Sequence, residues 1–399
     1  MPPARLVLLL AALSLLSGRC GGATRRSRDA YPALCRARDL PPHVSAELRD
    51  AVCSGELTGR SCYGAPGPGR VCLPGLVGVG FEKCASTKFF DLLQLHPAVC
   101  GSKLKEARLL FKVPQWPALL REQLNGSAGG GDGCLHAEFT PGYVAPYLLD
   151  EALTMIKDAK LLLPRSTKFV AGLRDPVDRA HRCERGRPTA RARASCSRHR
   201  LRSQYSYHLK KGMDCVPQRP CFKNALNRTS SFRDAVCFAV KHLGGDAWLA
   251  ALAEDPSVYP YAFPNRSATY PHWDILSPGF FVELLRPWTS RLGRARFFVF
   301  DKEQLTGEPV ELMERAFAFL DLPPMDLAAV AAEELRSLSR NSRNNSHELA
   351  QDPQAQRFLQ ALYANSTART NAVFGLSLPV VEFQARDLNY QELCKDSHL

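Results

Sequence analysis

Phe81-Glu82-Lys83-Cys84-Ala85-Ser86-Thr87-Lys88-Phe89-Phe90, followed by Asp91-Leu92-Leu93-Gln94-Leu95-His96-Pro97, decides the fold of this chain. The run before it, Gly75-Leu76-Val77-Gly78-Val79-Gly80-Phe81, is apolar and glycine-spaced, as a buried strand is. Between Ser86 and Leu95 apolar residues recur at Phe89, Leu92 and Leu93, a helical spacing that His96-Pro97 brings to an end. Strand, tight loop and helix in that order make an anion site, because the loop's backbone N–H groups and the helix N-terminus carry partial positive charge. Lys83 adds a full charge, and the Ser86 and Thr87 hydroxyls can donate to phosphate oxygens. This is not the loop of a P-loop NTPase. The pattern G-x-x-x-x-G-K-[ST] needs a glycine directly before its lysine and a hydroxyl directly after it, and Glu82 and Cys84 stand there. The plain alternative is a strand-to-helix turn with an exposed lysine.

A second turn follows ninety-one positions after Lys83, at Arg174. Lys168-Phe169-Val170-Ala171-Gly172-Leu173 has the apolar content of a strand, Arg174-Asp175-Pro176 breaks it, and a helix restarts at Val177 with proline near its first turn. Arg174 is therefore predicted at the carboxyl end of a strand, where open α/β sheets bind ligands. Its planar guanidinium suits phosphate, which it can grip through two N–H groups at once. An Arg174–Asp178 or Arg179–Asp175 ion pair is the structural alternative. Two anion turns in one chain point to a nucleotide carrying two phosphate groups, and hence to a transferase. The expected fold is α/β, a P-loop-like central parallel sheet flanked by helices.

Taken as a pair, the turns resemble the two nucleotide-binding motifs of sulfotransferases that use 3′-phosphoadenosine 5′-phosphosulfate (PAPS), specifically the Golgi carbohydrate sulfotransferases. The Lys83-Cys84-Ala85-Ser86-Thr87 form with its later His96-Pro97 is closest to the branch containing the N-acetylgalactosamine-4-sulfate 6-O-sulfotransferase. The resemblance extends from Gly75 to about Leu376. It implies the sulfotransferase fold, PAPS as cosubstrate and no metal. It also implies that Lys83, Cys84, Ala85, Ser86 and Thr87 surround the 5′-phosphosulfate and that Arg174 holds the 3′-phosphate. Lys105-Glu106 is similar to the family's Lys/Arg-Glu motif, whose glutamate is the general base. A carboxylate within hydrogen-bond reach can take the acceptor hydroxyl's proton as its oxygen attacks sulfur, which makes Glu106 and Lys83 the catalytic candidates. A solvated Lys-Glu pair is the alternative for Glu106. Glu138-Phe139-Thr140-Pro141-Gly142-Tyr143 resembles the Glu-Lys-Ser/Thr-Pro-x-Tyr segment of heparan-type enzymes, with Phe139 in place of the lysine.

The family's second motif reads Arg-Asp-Pro-x-x-Arg-Ala-Tyr-Ser, its serine joining the arginine on the 3′-phosphate, whereas here Ala180-His181 is followed by Arg182. Lifting out 182–202 joins His181 to Ser203-Gln204-Tyr205 and restores the serine, so Ser203 is the further cofactor candidate. The twenty-one residues removed hold eight arginines, one glutamate and Leu201 as their only large apolar residue. Three accounts are open: an arginine-rich loop that engages a polyanionic acceptor, a disordered excursion, or a translated intron that keeps the frame. The composition favours the last two. The segment carries +7 of the formal +13, and the remaining basic field still suits anionic sugar chains. Nucleic acid is a poor alternative as a partner and is not expected, since neither zinc-finger spacing nor an RNA-recognition signature occurs.

Arg5 and the apolar run Leu6 to Leu16 form a charged n-region and an eleven-residue core, too short to span a bilayer comfortably. Residues 1–23 are expected to be a signal peptide or short signal-anchor, 24–74 a cysteine-containing extension, 75–385 the catalytic domain with 182–202 inserted, and 386–399 a tail. Within the domain, a helix is expected from Gly279 to Trp288, a strand at 296–300, a helix at 311–320 with Met313, Phe317 and Leu320 on one face, and a last helix motif at Leu362-Tyr363 and Asn371. The polar stretch 337–346, with Arg336, Arg340 and Arg343, reads as a disordered surface loop, the alternative being a segment that closes over the nucleotide. Fourteen cysteines and five N-x-S/T sites, at Asn125, Asn227, Asn265, Asn344 and Asn365, agree with an oxidising secretory lumen. Cys35, Cys53, Cys62 and Cys72 are expected to staple the extension and Cys215 with Cys221 to close a small loop, although pairing cannot be read from spacing. No metal-ligand spacing stands out. The expected activity is transfer of a sulfuryl group from PAPS to a hydroxyl of a glycosaminoglycan-like glycan, anionic or neutral, in the Golgi lumen, by a protein that is secreted or held to the membrane only through its N-terminus. The alternatives are a catalytically impaired glycan-binding protein of the same fold and a tyrosylprotein sulfotransferase.

Overall fold

Five strands, β4 (Leu76–Gly78), β5 (Val99–Gly101), β6 (Leu135–Phe139), β7 (Lys168–Leu173) and β8 (Phe297–Asp301), form a sheet in the order β5-β6-β4-β7-β8. They belong to a computed structural model that describes residues 32–39, 41–55, 57–58, 62–63, 70–124, 134–144, 149–185, 232–254, 276–327, 352–382 and 385–395. The signal segment, the 182–202 segment beyond Arg185, Ser203, Cys215, Cys221, the 337–346 stretch and the sites at Asn125, Asn227, Asn265 and Asn344 lie outside those residues. Ahead of the main sheet, β1 (Leu57–Thr58), β2 (Cys62–Tyr63) and β3 (Val71–Cys72) pair antiparallel.

The main sheet is parallel. β5 pairs with β6 and β7 with β8 in parallel register. Around β4 the hydrogen bonds climb together: Gly75 N–H donates to His136 O and Thr140 N–H to Gly78 O, while Lys168 N–H donates to Gly75 O and Val79 N–H to Val170 O. Parallel strands are covered on both faces and therefore read as continuous apolar runs. All five residues of β6 and all but the first of β7 are buried. β7 coincides with the strand expected from sequence, whereas β4 covers only the middle of the expected 75–81 run. The chain runs from β4 to the far edge at β5, returns through β6, then crosses to β7 and on to β8. Neighbours β4 and β7 thus send their connections in opposite directions, and such a switch point opens a crevice at the strands' carboxyl ends.

The chain divides into two compact units. The first comprises 1–77, 97–138 and 157–168. Its Ala46–Cys53 helix is capped by Ser45, whose Oγ accepts Leu48 N–H at 3.2 Å, and buries Leu48 and Val52. Trp116, which opens the Trp116–Gln123 helix, is fully buried and donates through Nε1 to Leu109 O at 2.7 Å. Cys35–Cys53 and Cys62–Cys72 staple the extension, and Cys100–Cys134 links the middle of β5 to the residue before β6. Burial, reinforced by the Arg70 charge, pushes the His136 imidazole down to about 4.

The second unit comprises 78–96, 139–156 and 169–399. Phe89 stacks on Phe300 with ring centroids 4.5 Å apart, and Phe169 on Phe297 at 4.9 Å, which fastens the Ser86–Leu93 helix and β7 to β8. The helix expected at 311–320 runs Pro309–Phe319, with Met313, Phe317 and Leu320 buried as its periodicity requires. The 22-residue Pro353–Phe374 helix, capped by Asp352, packs against the Phe281–Leu292 helix. Tyr363 donates to Leu276 O at 2.9 Å, and Asn371 both donates to and accepts from the Leu378 backbone, folding the chain back past Gly375. Glu283 is held by Ser366 at 2.5 Å and by Arg369. Burial raises its carboxyl while these two partners oppose the shift. Cys237–Cys394 ties the Phe232–Leu243 helix to the C-terminal turn. Among the described residues no single helix is long and apolar enough to cross a membrane.

Candidate anion-binding site

The loop after β4 turns sharply at two residues that are not glycine. Lys83 has φ 66° and Ala85 has φ 61°, ψ 18°, so both are left-handed. Ala85 sits directly before the Ser86–Leu93 helix and offers no capping side chain, which leaves the positive end of that helix to an anion. Lys83 and Thr87 are exposed and Ser86 is half-buried, whereas Cys84 is fully buried with its Sγ 3.6 Å from Glu82 O. Cys84 therefore serves the loop by packing and by its backbone. Left-handed geometry costs an alanine about 1–2 kcal/mol, more than the ~0.4–1 kcal/mol of extra chain entropy a glycine would bring. Ala85→Gly should therefore raise stability by about 0.5–1 kcal/mol in a denaturant titration, and an unchanged midpoint would show the loop to be unstrained.

The loop rests on β7 through a close approach at Gly172. A Cβ placed there would come within 2.6 Å of Cys84 O and 2.9 Å of the Phe300 ring. Gly172→Ala should cost about 1–3 kcal/mol by overpacking and weaken anion binding, because the obstructing atom belongs to the loop backbone and must move. Thermal melting and a nucleotide titration check both effects.

The second turn docks on the first. Arg174, 4% exposed at the end of β7, donates through Nη1 to Lys83 O at 3.2 Å. The same guanidinium is paired with Asp178 one turn into the Pro176–Arg185 helix, so the ion pair weighed as the alternative from sequence is present. Asp175 caps that helix, its Oδ1 accepting Asp178 N–H at 2.7 Å. Burial raises the Asp175 carboxyl, and hydrogen bonds from the Asp178 and Val177 N–H groups oppose the shift. Residues 181–185 continue the same helix, so the arginine-rich segment begins in helical backbone.

A third cation comes from the end of β8. Asp301 closes a capping box with Gln304 and so starts the Lys302–Gly307 helix with Lys302. Lys88, in the first turn after the loop, has its ammonium pushed below the usual lysine range, chiefly by burial and then by the Lys302 charge. Lys302 is also paired with Glu303 at 2.8 Å. The ends of three adjacent strands, β4, β7 and β8, thus each contribute a cation: Lys83 with Lys88, Arg174, and Lys302. Sequence reading missed Lys88 and Lys302. Lys88 directly follows the hydroxyl pair and was legible as a helix N-terminal lysine, while Lys302 has no motif around it.

Phe139 takes the place of the lysine in the resembled segment because its position is core. It is 2% exposed, lies against Phe90 at a centroid distance of 4.9 Å, and faces Gly78, where a Cβ would meet its ring at 2.3 Å.

Glu106 belongs to the first unit, in the turn that follows β5. That turn is pinned from several sides. Lys103 N–H donates to Gln123 O at 3.0 Å, Leu104 N–H to Gln123 Oε1 at 3.0 Å, and Arg108 N–H to Glu138 Oε1 at 3.2 Å. Arg108 is left-handed at φ 58°. Glu106 is about one third exposed, with Lys105 Nζ 3.4 Å from its Oε1. Glu138, fully buried on β6, thus positions the Glu106 turn, a role the sequence did not reveal.

No family model matches the chain, and no curated protein matches it. Among solved structures, the crystal structure of a sulfotransferase from Alicyclobacillus acidocaldarius aligns over 77% of this chain and 98% of its own, at 17% identity and a TM-score of 0.46.

Proposed function

We propose that this chain transfers a sulfuryl group from PAPS to a hydroxyl of an anionic, glycosaminoglycan-like glycan in the Golgi lumen. One observation carries the reading: the Arg174 Nη1 to Lys83 O hydrogen bond, which joins the two sequence motifs at the carboxyl ends of neighbouring strands. A nucleotide with phosphates at two positions needs cations at two such turns, and β4, β7 and β8 supply them. Lys83, Ser86, Thr87 and the helix N-terminus hold the 5′-phosphosulfate, with Lys88 adding charge. Arg174 and Ser203 serve the 3′-phosphate.

In the reaction the acceptor oxygen bonds to sulfur while the bond from sulfur to the phosphate oxygen breaks. The acceptor's proton passes to Glu106. Negative charge grows on the departing phosphate oxygen, where Lys83 and the helix dipole stabilise it. The Glu106 turn also carries Lys103, Lys105, Arg108 and Lys112, together with exposed Leu104 (60%) and Phe111 (49%). Cations interleaved with an exposed ring suit a sulfated or carboxylated sugar chain, whose ring faces are apolar.

Two features favour a glycan-binding protein with impaired catalysis as the second reading. Phe139 is locked in the core where the resembled segment has a lysine, and Arg174 is already paired with Asp178. Incubation with PAPS labelled in its sulfuryl group, against a panel of glycosaminoglycans and tyrosine-containing peptides, tests these readings. Label in a glycan supports the proposal, label in the peptides alone replaces it with the tyrosylprotein reading, and nucleotide binding without transfer supports the impaired form.

A further inference from the structure

The two turns of the second unit treat anions differently. The first has no capping side chain at Ala85, so the N-terminus of the Ser86–Leu93 helix stands open to a ligand. The second is filled by the chain's own carboxylates. Asp175 Oδ1 accepts Asp178 N–H at 2.7 Å, which takes up the N-terminus of the Pro176–Arg185 helix. Asp178 Oδ2 accepts from Arg174 Nε and lies against Nη2, so a guanidinium edge that could grip a phosphate through two N–H groups already holds an anion. Nη1 donates to Lys83 O at 3.2 Å, against the first loop.

Burial decides which member of the pair can leave. The Arg174 side chain is 4% exposed, whereas the Asp178 side chain is 35% exposed, so water can receive the carboxylate when it turns away. Arg174 does not depend on Asp178 to stay in place. Lys83 O holds it from the other side, and its charge also reaches the carboxyls of Asp175 and Glu303. With the guanidinium positioned by these contacts, what Asp178 adds is occupancy of the ligand edge. A carboxylate carries one negative charge and a phosphate monoester about two, so a phosphate can take Arg174 from Asp178 and a hydroxyl cannot.

We propose that Asp178 is a built-in competitor for the nucleotide's 3′-phosphate: it holds the Arg174 edge until a ligand's 3′-phosphate displaces it. The inference rests on the reading of Arg174 as the 3′-phosphate ligand, and it adds to that reading a residue that sets specificity. A nucleotide ending in a 3′-hydroxyl cannot exchange for the carboxylate and so gains nothing from Arg174. A nucleotide with a 3′-phosphate binds by what the exchange returns, which is less than an unoccupied guanidinium would give. The same exchange speeds departure of the desulfated nucleotide after transfer, because Asp178 is at hand to retake Arg174.

Calorimetric titration of the full chain with adenosine 3′,5′-bisphosphate and with adenosine 5′-monophosphate isolates the contribution of the 3′-phosphate. Asp178→Asn should bind the bisphosphate at least about fivefold more tightly, the affinity equivalent of the ~1 kcal/mol that a partly exposed ion pair contributes, and the monophosphate within about twofold of wild type. Asp178→Ala, which leaves the guanidinium no acceptor at that position, should do the same. Asp178→Glu, which keeps the anion, should not. In turnover, KM for PAPS should fall and kcat should not rise, as slower product release requires. Circular dichroism checks that each variant is folded. Weaker or unchanged bisphosphate binding by Asp178→Asn and Asp178→Ala overturns the proposal and makes Asp178 an orienting partner of Arg174. Equal tightening of both nucleotides overturns it as well, being a general effect of charge. Arg174→Ala tells these failures from failure of the underlying reading: if bisphosphate binding stays at its wild-type value, the 3′-phosphate does not sit on Arg174 and both fall.

Discussion

Lys83→Ala should lower the turnover of sulfuryl transfer by about 10²–10³-fold, the usual loss when one preorganised donor is removed from developing charge. The size of the effect follows from where the lysine stands. Its side chain is exposed at the head of the loop, so truncation removes no core packing. Its carbonyl, which accepts from Arg174, is backbone and survives the substitution. Its left-handed φ of 66° is no harder for alanine than for lysine, and neighbouring Ala85 adopts the same region. The variant should therefore melt with wild type and still dock the second turn, leaving the missing ammonium as the only change at the reacting phosphate. Initial rates at saturating labelled PAPS measure the loss, and far-UV dichroism checks the fold. Lys83→Arg should recover part of the rate, since charge is kept while the donor geometry changes. A Lys83→Ala rate within about twofold of wild type would sink the assignment of this loop to the phosphosulfate.

What could be read from the residues depended on how local the determining interaction is. β7 was legible residue for residue because an unbroken apolar run meets Arg174-Asp175-Pro176, and proline near a helix start fixes the next element. The Pro309–Phe319 helix was legible from the period of Met313, Phe317 and Leu320. β4 was overread. Its apolar run continues to Phe81, but the backbone leaves strand geometry after Gly78 although Val79 still bonds to Val170. The site was legible only where its chemistry lies in consecutive residues, as in Lys83 to Thr87. The bond that unites the two turns ends on a carbonyl, and every residue has one, so no side-chain pattern marks it. Lys302 and Glu138 reach their positions through strand order, which local periodicity does not encode.

Glu106→Gln should lower turnover by about 10²–10⁴-fold, the range for loss of a general base, while the dissociation constant for PAPS changes by less than about twofold. Glutamine keeps the size of the side chain and one carbonyl acceptor, but it cannot take the acceptor's proton. The substitution leaves the turn in place, because its backbone is held by Gln123 and Glu138, neither of which bonds to residue 106 through the contacts that pin it. What is lost structurally is the Lys105 contact at 3.4 Å, and a partly exposed pair of this kind is worth at most about 1 kcal/mol. A large fall in turnover with an unchanged melting point therefore has to come from proton transfer. Glu138→Ala offers the contrast: it should loosen the turn, so it is expected to lower stability as well as rate, and restoring the acceptor with Glu138→Gln should recover much of both. If Glu106→Gln turns over as fast as wild type while Lys83→Ala does not, the phosphosulfate site stands and the base lies elsewhere. If both are as active as wild type, the proposal of PAPS-dependent transfer through these turns fails.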